Sequence, residues 1–125
     1  MAIQKILLVD DSKTELHFLS ELLGKRGYAV RTAENGEEAM KRLGEETPDL
    51  IFCDILMPRL DGYQTCAIIK RNTKFQGVPV IMLSSKDGLF DKARGRMVGS
   101  EDYLTKPFTK DQLLQAVEQH RRAAA

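Results

Sequence analysis

The chain has 125 residues, of which 42% are hydrophobic and 30% charged, and its formal net charge is +1. This length and composition predict one globular domain spanning residues 1–125, with no output domain after it. The near-zero charge provides no field that would draw nucleic acid or an acidic membrane surface. No apolar run approaches the length of a membrane span, and the N-terminus does not have the form of a secretory signal. We therefore expect a cytoplasmic protein.

Short apolar runs alternate with amphipathic segments of helix length along the chain. This alternation predicts a parallel sheet with helices on both faces. The helix expected over residues 88–98 is the weakest, because Gly95 lies inside it. The predicted strands are Lys5–Val9, Ala29–Thr32, Leu50–Cys53, Val80–Leu83 and Asp102–Leu104. Helix-capping patterns begin at Ser12, Asn35, Asp61 and Thr109. The pattern at Ser12 has the capping-box form, with Glu15 three residues later.

Polar residues fit for phosphoryl chemistry follow the predicted strands. Asp10 and Asp11 come after the first strand, Asp54 after the third, Ser84 after the fourth and Lys106 after the fifth. In a parallel sheet these positions share one edge, which is where open α/β sheets bind ligands. Adjacent carboxylates suit Mg²⁺, and a carboxylate can attack phosphorus to form an aspartyl phosphate. The pattern therefore predicts a magnesium-dependent phosphoryl site.

Each of these residues also has a purely structural interpretation. An aspartate before a helix caps it, Asp54 could begin a loop, and Ser84 could be a turn residue. Lys106 could be a solvated charge, although Pro107 restrains its backbone to an extended geometry. No residue suffices alone, and it is their combination that favours a site. In such a site Lys106 could contact Asp54 before the reaction and the phosphoryl group afterwards.

These segments, in this order, resemble the receiver domain of bacterial two-component response regulators of the CheY type. The resemblance covers nearly the whole chain. It implies a flavodoxin-like, doubly wound α/β fold, with five parallel strands in the order 2-1-3-4-5 and five flanking helices. The matching motifs are Leu8–Ser12, Asp54–Pro58 with Asp61-Gly62, Pro79–Ser84 and Lys106–Phe108.

The resemblance assigns roles at the predicted site. Asp54 would be the phosphoacceptor for a partner histidine kinase or phosphotransfer protein. Mg²⁺ would be held by Asp11 directly, by Asp10 directly or through water, by Asp54, and by the backbone carbonyl of Leu56. Enzymatic activity would be at most self-directed phosphotransfer and autodephosphorylation. Because Leu56 is apolar where many receivers have a polar side chain, we expect autodephosphorylation slower than in receivers with a polar residue there.

The resemblance also implies a conformational switch. Ser84 and Lys106 would contact the phosphoryl group, and Ser84 and Tyr103 would move together. The output surface would be the fourth helix, fifth strand and fifth helix, and the protein would be a monomer or a weak dimer on activation. Tyr103 could instead be an ordinary packed strand residue. His17 and His120 are read as surface residues, since the donor histidine belongs to the partner.

A narrower resemblance connects the chain with receiver proteins of the pilus-linked chemosensory system for twitching motility. It lies in residues 57–70 and 79–114, while the N-terminal half is more like a second receiver of that system. A natural intermediate paralogue or an artificial fusion of two paralogues would both fit. The resemblance implies a role in pilus-driven motility or chemotaxis, with a downstream target in the pilus machinery.

Three other functions remain open at this stage. A phosphatase or phosphotransferase acting on small molecules through Asp54 would need a second acid/base carboxylate nearby, but the residue two after Asp54 is Leu56. An interaction module without phosphorylation would not need the full set of polar residues. A flavodoxin-like cofactor binder would need a glycine-rich loop after the first strand, which is lacking. Cys53 is interpreted as a core residue rather than a redox thiol.

Overall fold

The computed structural model describes residues 4–57, 59–85 and 89–124. Within these residues five strands alternate with five helices, and all strand pairs are parallel. The sheet order is β2-β1-β3-β4-β5, which confirms the predicted fold. The elements are β1 (Lys5–Val9), α1 (Lys13–Lys25), β2 (Ala29–Ala33), α2 (Gly36–Glu45), β3 (Leu50–Asp54), α3 (Gly62–Arg71), β4 (Val80–Ser84), α4 (Leu89–Met97), β5 (Asp102–Thr105) and α5 (Lys110–Ala124).

Four strands extend one residue beyond their predicted ends. The added residues include Asp54 and Ser84, which were expected to follow their strands rather than belong to them. These residues belong to their strands because each one pairs with a neighbouring strand: Asp54 is in register with Leu83, and Ser84 is in register with Thr105. Both polar side chains are therefore held by the sheet itself and not by a loop.

The alternation of side chains along the strands divides the core into two layers. On one face, α1 and α5 cover residues such as Leu8, Phe52 and Leu83. On the other face, α2 and α3 cover residues such as Val9 and Met82. The central strands β3 and β4 are buried throughout their length. Their continuous apolar sequences are those expected of strands covered on both faces.

Reciprocal caps fix the starts of two helices near the carboxyl edge of the sheet. Asp61 and Gln64 form a complete capping box at α3. Thr109 and Gln112 form the same reciprocal pair of hydrogen bonds at α5. These predicted starts are confirmed. Residue 88, where the fourth helix was expected to begin, lies outside the described residues.

Both cysteines are core residues. Cys53 and Cys66 are free thiols with no exposed surface. Burial raises the pKa of the Cys53 thiol well above its ordinary value, which suppresses the reactive thiolate. The core interpretation of Cys53 is confirmed. None of the helices in the described ranges is both long enough and apolar enough to cross a bilayer.

Candidate functional site

The carboxyl edge of the sheet brings three carboxyl groups together. Asp10, Asp11 and Asp54 each offer one oxygen, and these oxygens all lie within 4.8 Å of one another. Asp10 follows β1, where its backbone N–H donates to the carbonyl of Ala33 and its Oδ1 accepts a hydrogen bond from Ser12 at 2.9 Å. Asp10 and Asp54 are buried, whereas Asp11 is exposed. The site is thus open to solvent on one side only.

Lys106 reaches this cluster from beyond β5. Its Nζ lies 3.2 Å from Oδ1 of Asp54 and 3.6 Å from Oδ2 of Asp10. Its backbone N–H donates to the carbonyl of Ser84 at 2.6 Å, which fixes the chain next to the end of β4. The peptide bond that joins Lys106 to Pro107 is cis. The expected contact between the lysine and Asp54 is therefore present.

Burial and mutual repulsion make the carboxyl groups of Asp10 and Asp54 hard to ionise. Burial is the main cause that raises the pKa of Asp10, to about 7. The hydrogen bond from the Ser12 N–H lowers this pKa, and the charge of Asp54 raises it. Burial also raises the pKa of Asp54, against the lowering effect of Lys106. For Lys106, burial acts to lower the pKa, but its hydrogen bond to Glu15 and the charges of Asp54 and Asp10 raise it.

These residues fit a divalent cation. Oδ2 of Asp10 is buried and accepts no hydrogen bond from any residue that the structure describes, although Lys106 lies 3.6 Å away. The single ammonium of Lys106 lies near Asp10 and Asp54, so the cluster of three aspartates keeps negative charge that a cation would balance. Oxygen donors from carboxylates are those that Mg²⁺ prefers. The chemistry of the donor set is therefore that of a magnesium site.

Glu15 is a member of the site that the sequence interpretation missed. It was expected to complete a capping box with Ser12, and only half of that box forms. Ser12 Oγ accepts from the Glu15 N–H at 3.2 Å, but the Ser12 N–H donates to Asp10. The Glu15 carboxylate instead contacts Lys106 Nζ at 2.9 Å. A glutamate in the first turn of the helix that follows Asp10 and Asp11 was the available signal for this role.

Ser84 and Tyr103 lie on the neighbouring strands β4 and β5, where Tyr103 is in register with Met82, two residues before Ser84. Ser84 is buried at the end of β4, beside the strand that carries Asp54. Tyr103 is half-buried on β5 and packs against the core layer under α2 and α3. Its side chain is hydrogen-bonded to that of Tyr63, a residue of α3 to which the sequence interpretation assigned no role. This places the proposed switch residues one strand apart.

Tyr63 also connects α3 with α4. Its hydroxyl donates to the carbonyl of Asp91 at 3.1 Å, and the Arg94 guanidinium lies 4.4 Å from the centre of its ring. Burial raises the pKa of Tyr63, and the hydrogen bond with Tyr103 raises it further, so the hydroxyl stays protonated. The signal available in the sequence was a tyrosine on the apolar face of a helix that follows the Asp61-Gly62 turn.

Leu56 follows Asp54 by two residues and is 54% exposed. It lines an open cavity together with Met57, Tyr63 and Arg94. The geometry of its backbone carbonyl as a metal ligand stays a prediction. Pro58 of the matching motif, and Lys86 to Gly88 after β4, lie outside the described residues.

The two histidines differ in their surroundings. His17 is exposed and lies 3.5 Å from Glu21, as expected of a surface residue. The same expectation is wrong for His120, whose side chain is only 12% exposed and lies 3.5 Å from Asp102. The reason is that His120 lies on the side of α5 that faces Asp102 of β5, so its imidazole ring is largely covered.

A doubly wound sheet of this order, with an acidic cluster and a paired lysine at its carboxyl edge, defines the class of CheY-like signalling domains. The structure of chemotaxis protein CheY4 from Vibrio cholerae superposes with a TM-score of 0.90 at 30% identity, covering 94% of this chain and 98% of that chain. The receiver domain of response regulator 1452 from Francisella superposes with a TM-score of 0.89 at 33% identity, covering 98% and 99%.

The sequence matches the response regulator receiver domain over residues 6–118, and the chain belongs to that family. Protein PilG of Pseudomonas aeruginosa is 57% identical over 93% of this chain and 86% of its own length. Protein PilH of the same organism is 39% identical over 90% of this chain and 93% of its own length. The chain is a receiver domain, a signalling switch operated by phosphorylation, and not a classical enzyme. Its class of partner is a histidine kinase.

Proposed function

We propose that Asp54 is the phosphoacceptor of this switch. The observation that carries the proposal is the contact of Lys106 with Asp54 at 3.2 Å, inside a cluster that also contains Asp10 and Asp11. Asp54 is the carboxylate at the end of the central strand β3, held between the ends of β1 and β4. A buried nucleophile with a fixed ammonium beside it is suited to positioning and charge stabilisation, which dominate phosphoryl transfer.

The proposed reaction is transfer from a phosphohistidine of a partner kinase or phosphotransfer protein. A carboxylate oxygen of Asp54 forms a bond to phosphorus, and the bond between phosphorus and the imidazole nitrogen breaks. The donor imidazole keeps the electron pair of that bond and takes up a proton from water. Lys106 contacts the transferred oxygens, and Ser84 donates a hydrogen bond to one of them. Later attack of water on phosphorus returns Asp54 to its carboxylate form.

Mg²⁺ is the cofactor we propose for this site. Asp10, Asp11, Asp54 and the backbone carbonyl of Leu56 would hold it. When bound, the ion supplies positive charge to the transferring oxygens and screens the carboxylates from one another. The raised pKa of Asp10 and its buried Oδ2 support this assignment.

The output is proposed to be a change at the surface formed by α4, β5 and α5. Movement of Ser84 toward the phosphoryl group would open space for Tyr103. The hydrogen bond between Tyr103 and Tyr63 would couple this movement to α4, because the Tyr63 hydroxyl also donates a hydrogen bond to the carbonyl of Asp91 in α4. Phosphorylation then shifts an equilibrium between two arrangements of the same fold.

The biological setting is proposed from the relatives. The 57% identity with PilG over most of both chains supports a role in a pilus-linked chemosensory pathway. We propose that this receiver domain, residues 1–125, acts in the cytoplasm on a protein target of the pilus machinery and is a monomer or a weak dimer on activation. Deleting its gene in its own host should reduce twitching but leave flagellar swimming unchanged. Wild-type protein should restore twitching, and Asp54→Asn should not.

Transfer from a kinase tests the chemical proposal. A purified histidine kinase domain carrying radiolabelled phosphate should transfer the label to the wild-type protein with Mg²⁺ and not with excess chelator. Asp54→Asn should receive no label. Asp111→Asn, an exposed aspartate at the start of α5, is the matched control and should be labelled as fully as the wild type. Equal labelling of Asp54→Asn would contradict the assignment.

A further inference from the structure

Lys106 has three carboxylate neighbours, and the nearest is not in the predicted site. Its Nζ lies 2.9 Å from Oε2 of Glu15, compared with 3.2 Å for Asp54 and 3.6 Å for Asp10. Glu15 lies in the first turn of α1, and its side chain is 28% exposed while that of Lys106 is 23% exposed. The contact is therefore partly shielded from water, and its strength exceeds that of an open surface ion pair.

This contact has no structural use as a helix cap. Ser12 already accepts from the Glu15 backbone N–H, and the Ser12 N–H is taken by Asp10. The Glu15 carboxylate is therefore not used in the cap and accepts a hydrogen bond from Lys106. This hydrogen bond is the largest of the effects that raise the pKa of Lys106. Ordinary capping by the side chain does not explain its position.

The contact bears directly on the phosphoryl reaction. Lys106 has one ammonium, and the incoming phosphoryl group needs it. While Glu15 holds that ammonium on the α1 side, the phosphoryl group must compete with a carboxylate for it. The charge of Glu15 also adds to the negative charge of the three aspartates, which an anionic donor must approach. Both effects slow the acceptance of a phosphoryl group.

We propose that Glu15 is a positioning residue that withholds Lys106 from the phosphoryl group and thereby sets the rate at which Asp54 is phosphorylated. This inference rests on the proposed function of Asp54. Phosphorylation would draw Lys106 toward the phosphoryl oxygens and release Glu15 on the surface of α1. The first turn of α1 then differs between the two states of the protein, in addition to the output surface.

The test is a comparison of phosphorylation rates with acetyl phosphate and Mg²⁺, followed by intact mass spectrometry. Glu15→Gln keeps the shape of the side chain but removes its charge, and it should react about three to ten times faster than the wild type. Glu21→Gln makes the same charge change at an exposed position of α1 and should not alter the rate. Circular dichroism establishes that each variant is folded.

A double-mutant comparison tests whether Glu15 acts through Lys106. In a Lys106→Met background, Glu15→Gln should change the rate by less than about twofold. An undiminished acceleration in that background would show that Glu15 acts only by repelling the donor and would overturn the proposal. Equal rates for wild type and Glu15→Gln would also overturn it while leaving Asp54 as phosphoacceptor. Only a failure of the wild type itself to gain a phosphoryl group would overturn both.

Discussion

The ammonium of Lys106 lies 3.2 Å from Oδ1 of Asp54, although the two residues are 52 positions apart in the sequence. The sheet creates this contact, because β4 lies between β3, which ends at Asp54, and β5, which ends one residue before Lys106. The backbone N–H of Lys106 donates to the carbonyl of Ser84 at the end of β4. The side chain then reaches past the end of β4 to the carboxylate.

Replacing Lys106 by methionine should slow phosphorylation of Asp54. The methionine keeps the apolar stem of the side chain but removes the charge that stabilises the transferring oxygens, so we expect a loss of about a hundredfold in rate. The measurement is the rate of mass gain with acetyl phosphate and Mg²⁺. Lys110→Met, which changes an exposed lysine of α5, should react at the wild-type rate. A Lys106→Met rate within twofold of the wild type would remove this lysine from the mechanism.

Replacing Asp10 by asparagine should stabilise the metal-free protein. The substitution removes one of the carboxyl groups that lie within 4.8 Å of one another, so the melting temperature in EDTA should rise by about 3–6 °C. Added Mg²⁺ should stabilise the wild type and have little effect on the variant. A variant that melts below the wild type in EDTA would show that the Asp10 carboxylate is a net stabilising group.

The stability of the metal-free wild type should depend on pH in a defined direction. Its folded-state pKa for Asp10, about 7, exceeds the value of about 4 expected in the unfolded chain. A raised carboxyl pKa means that the folded state binds the proton more tightly, so stability should increase as the pH falls from 8 to 5.5. Melting in EDTA across this range measures the effect, which should be smaller in Asp10→Asn. An increase in stability toward pH 8 would contradict the burial argument.

Gly62 and Gly44 should respond oppositely to alanine. A Cβ at Gly62 would lie 2.7 Å from Cα of Ile55, just after the strand that carries Asp54, so we expect Gly62→Ala to cost about 1–3 kcal/mol of unfolding free energy. A Cβ at Gly44 meets no atom within 4 Å, and Gly44→Ala should stabilise α2 by about 0.5–1 kcal/mol. Chemical denaturation of both variants measures the two changes. Equal changes in the free energy of unfolding for the two variants would contradict the close approach of Gly62 to Ile55.

Leu56 should prolong the phosphorylated state. Its exposed apolar side chain offers no hydrogen bond to the water that must attack phosphorus, whereas asparagine at this position can orient that water. Leu56→Asn should therefore lose its phosphoryl group severalfold faster, as measured by the decay of the phosphorylated mass after the donor is removed. Leu56→Met keeps an apolar side chain and should decay at the wild-type rate. Equal or slower decay of Leu56→Asn would contradict the prediction.

The sequence was informative where the pattern was periodic or repeated a known motif. The alternation of apolar runs, the caps at Asp61 and Thr109, and the order of the polar residues at strand ends together predicted the fold and the location of the site. The predicted strands stopped one residue before Asp54 and Ser84, because a polar side chain was taken to mark the end of a strand. Whether a residue belongs to a strand depends on its pairing with the neighbouring strand, which the sequence does not show.

Contacts made by individual side chains could not be predicted from the sequence. Glu15 fits a capping box equally well by spacing, and only the position of Lys106 decides that its carboxylate turns to the site. In the sequence, Tyr63 is one of several residues on the apolar face of α3. Its contacts with α4 and β5 become visible only in the folded structure. The exposure of His120 was misjudged for the same reason, since helical spacing does not show how closely α5 approaches β5 at that residue.

The most direct test of the central claim is the intact mass of the protein after incubation with acetyl phosphate and Mg²⁺. The wild type should gain the mass of one phosphoryl group, and peptide mapping should place it on Asp54. Asp54→Asn should gain nothing, and chelation of Mg²⁺ should prevent the gain in the wild type. A phosphoryl group on another residue, or an equal gain in Asp54→Asn, would contradict the assignment of Asp54 as the phosphoacceptor.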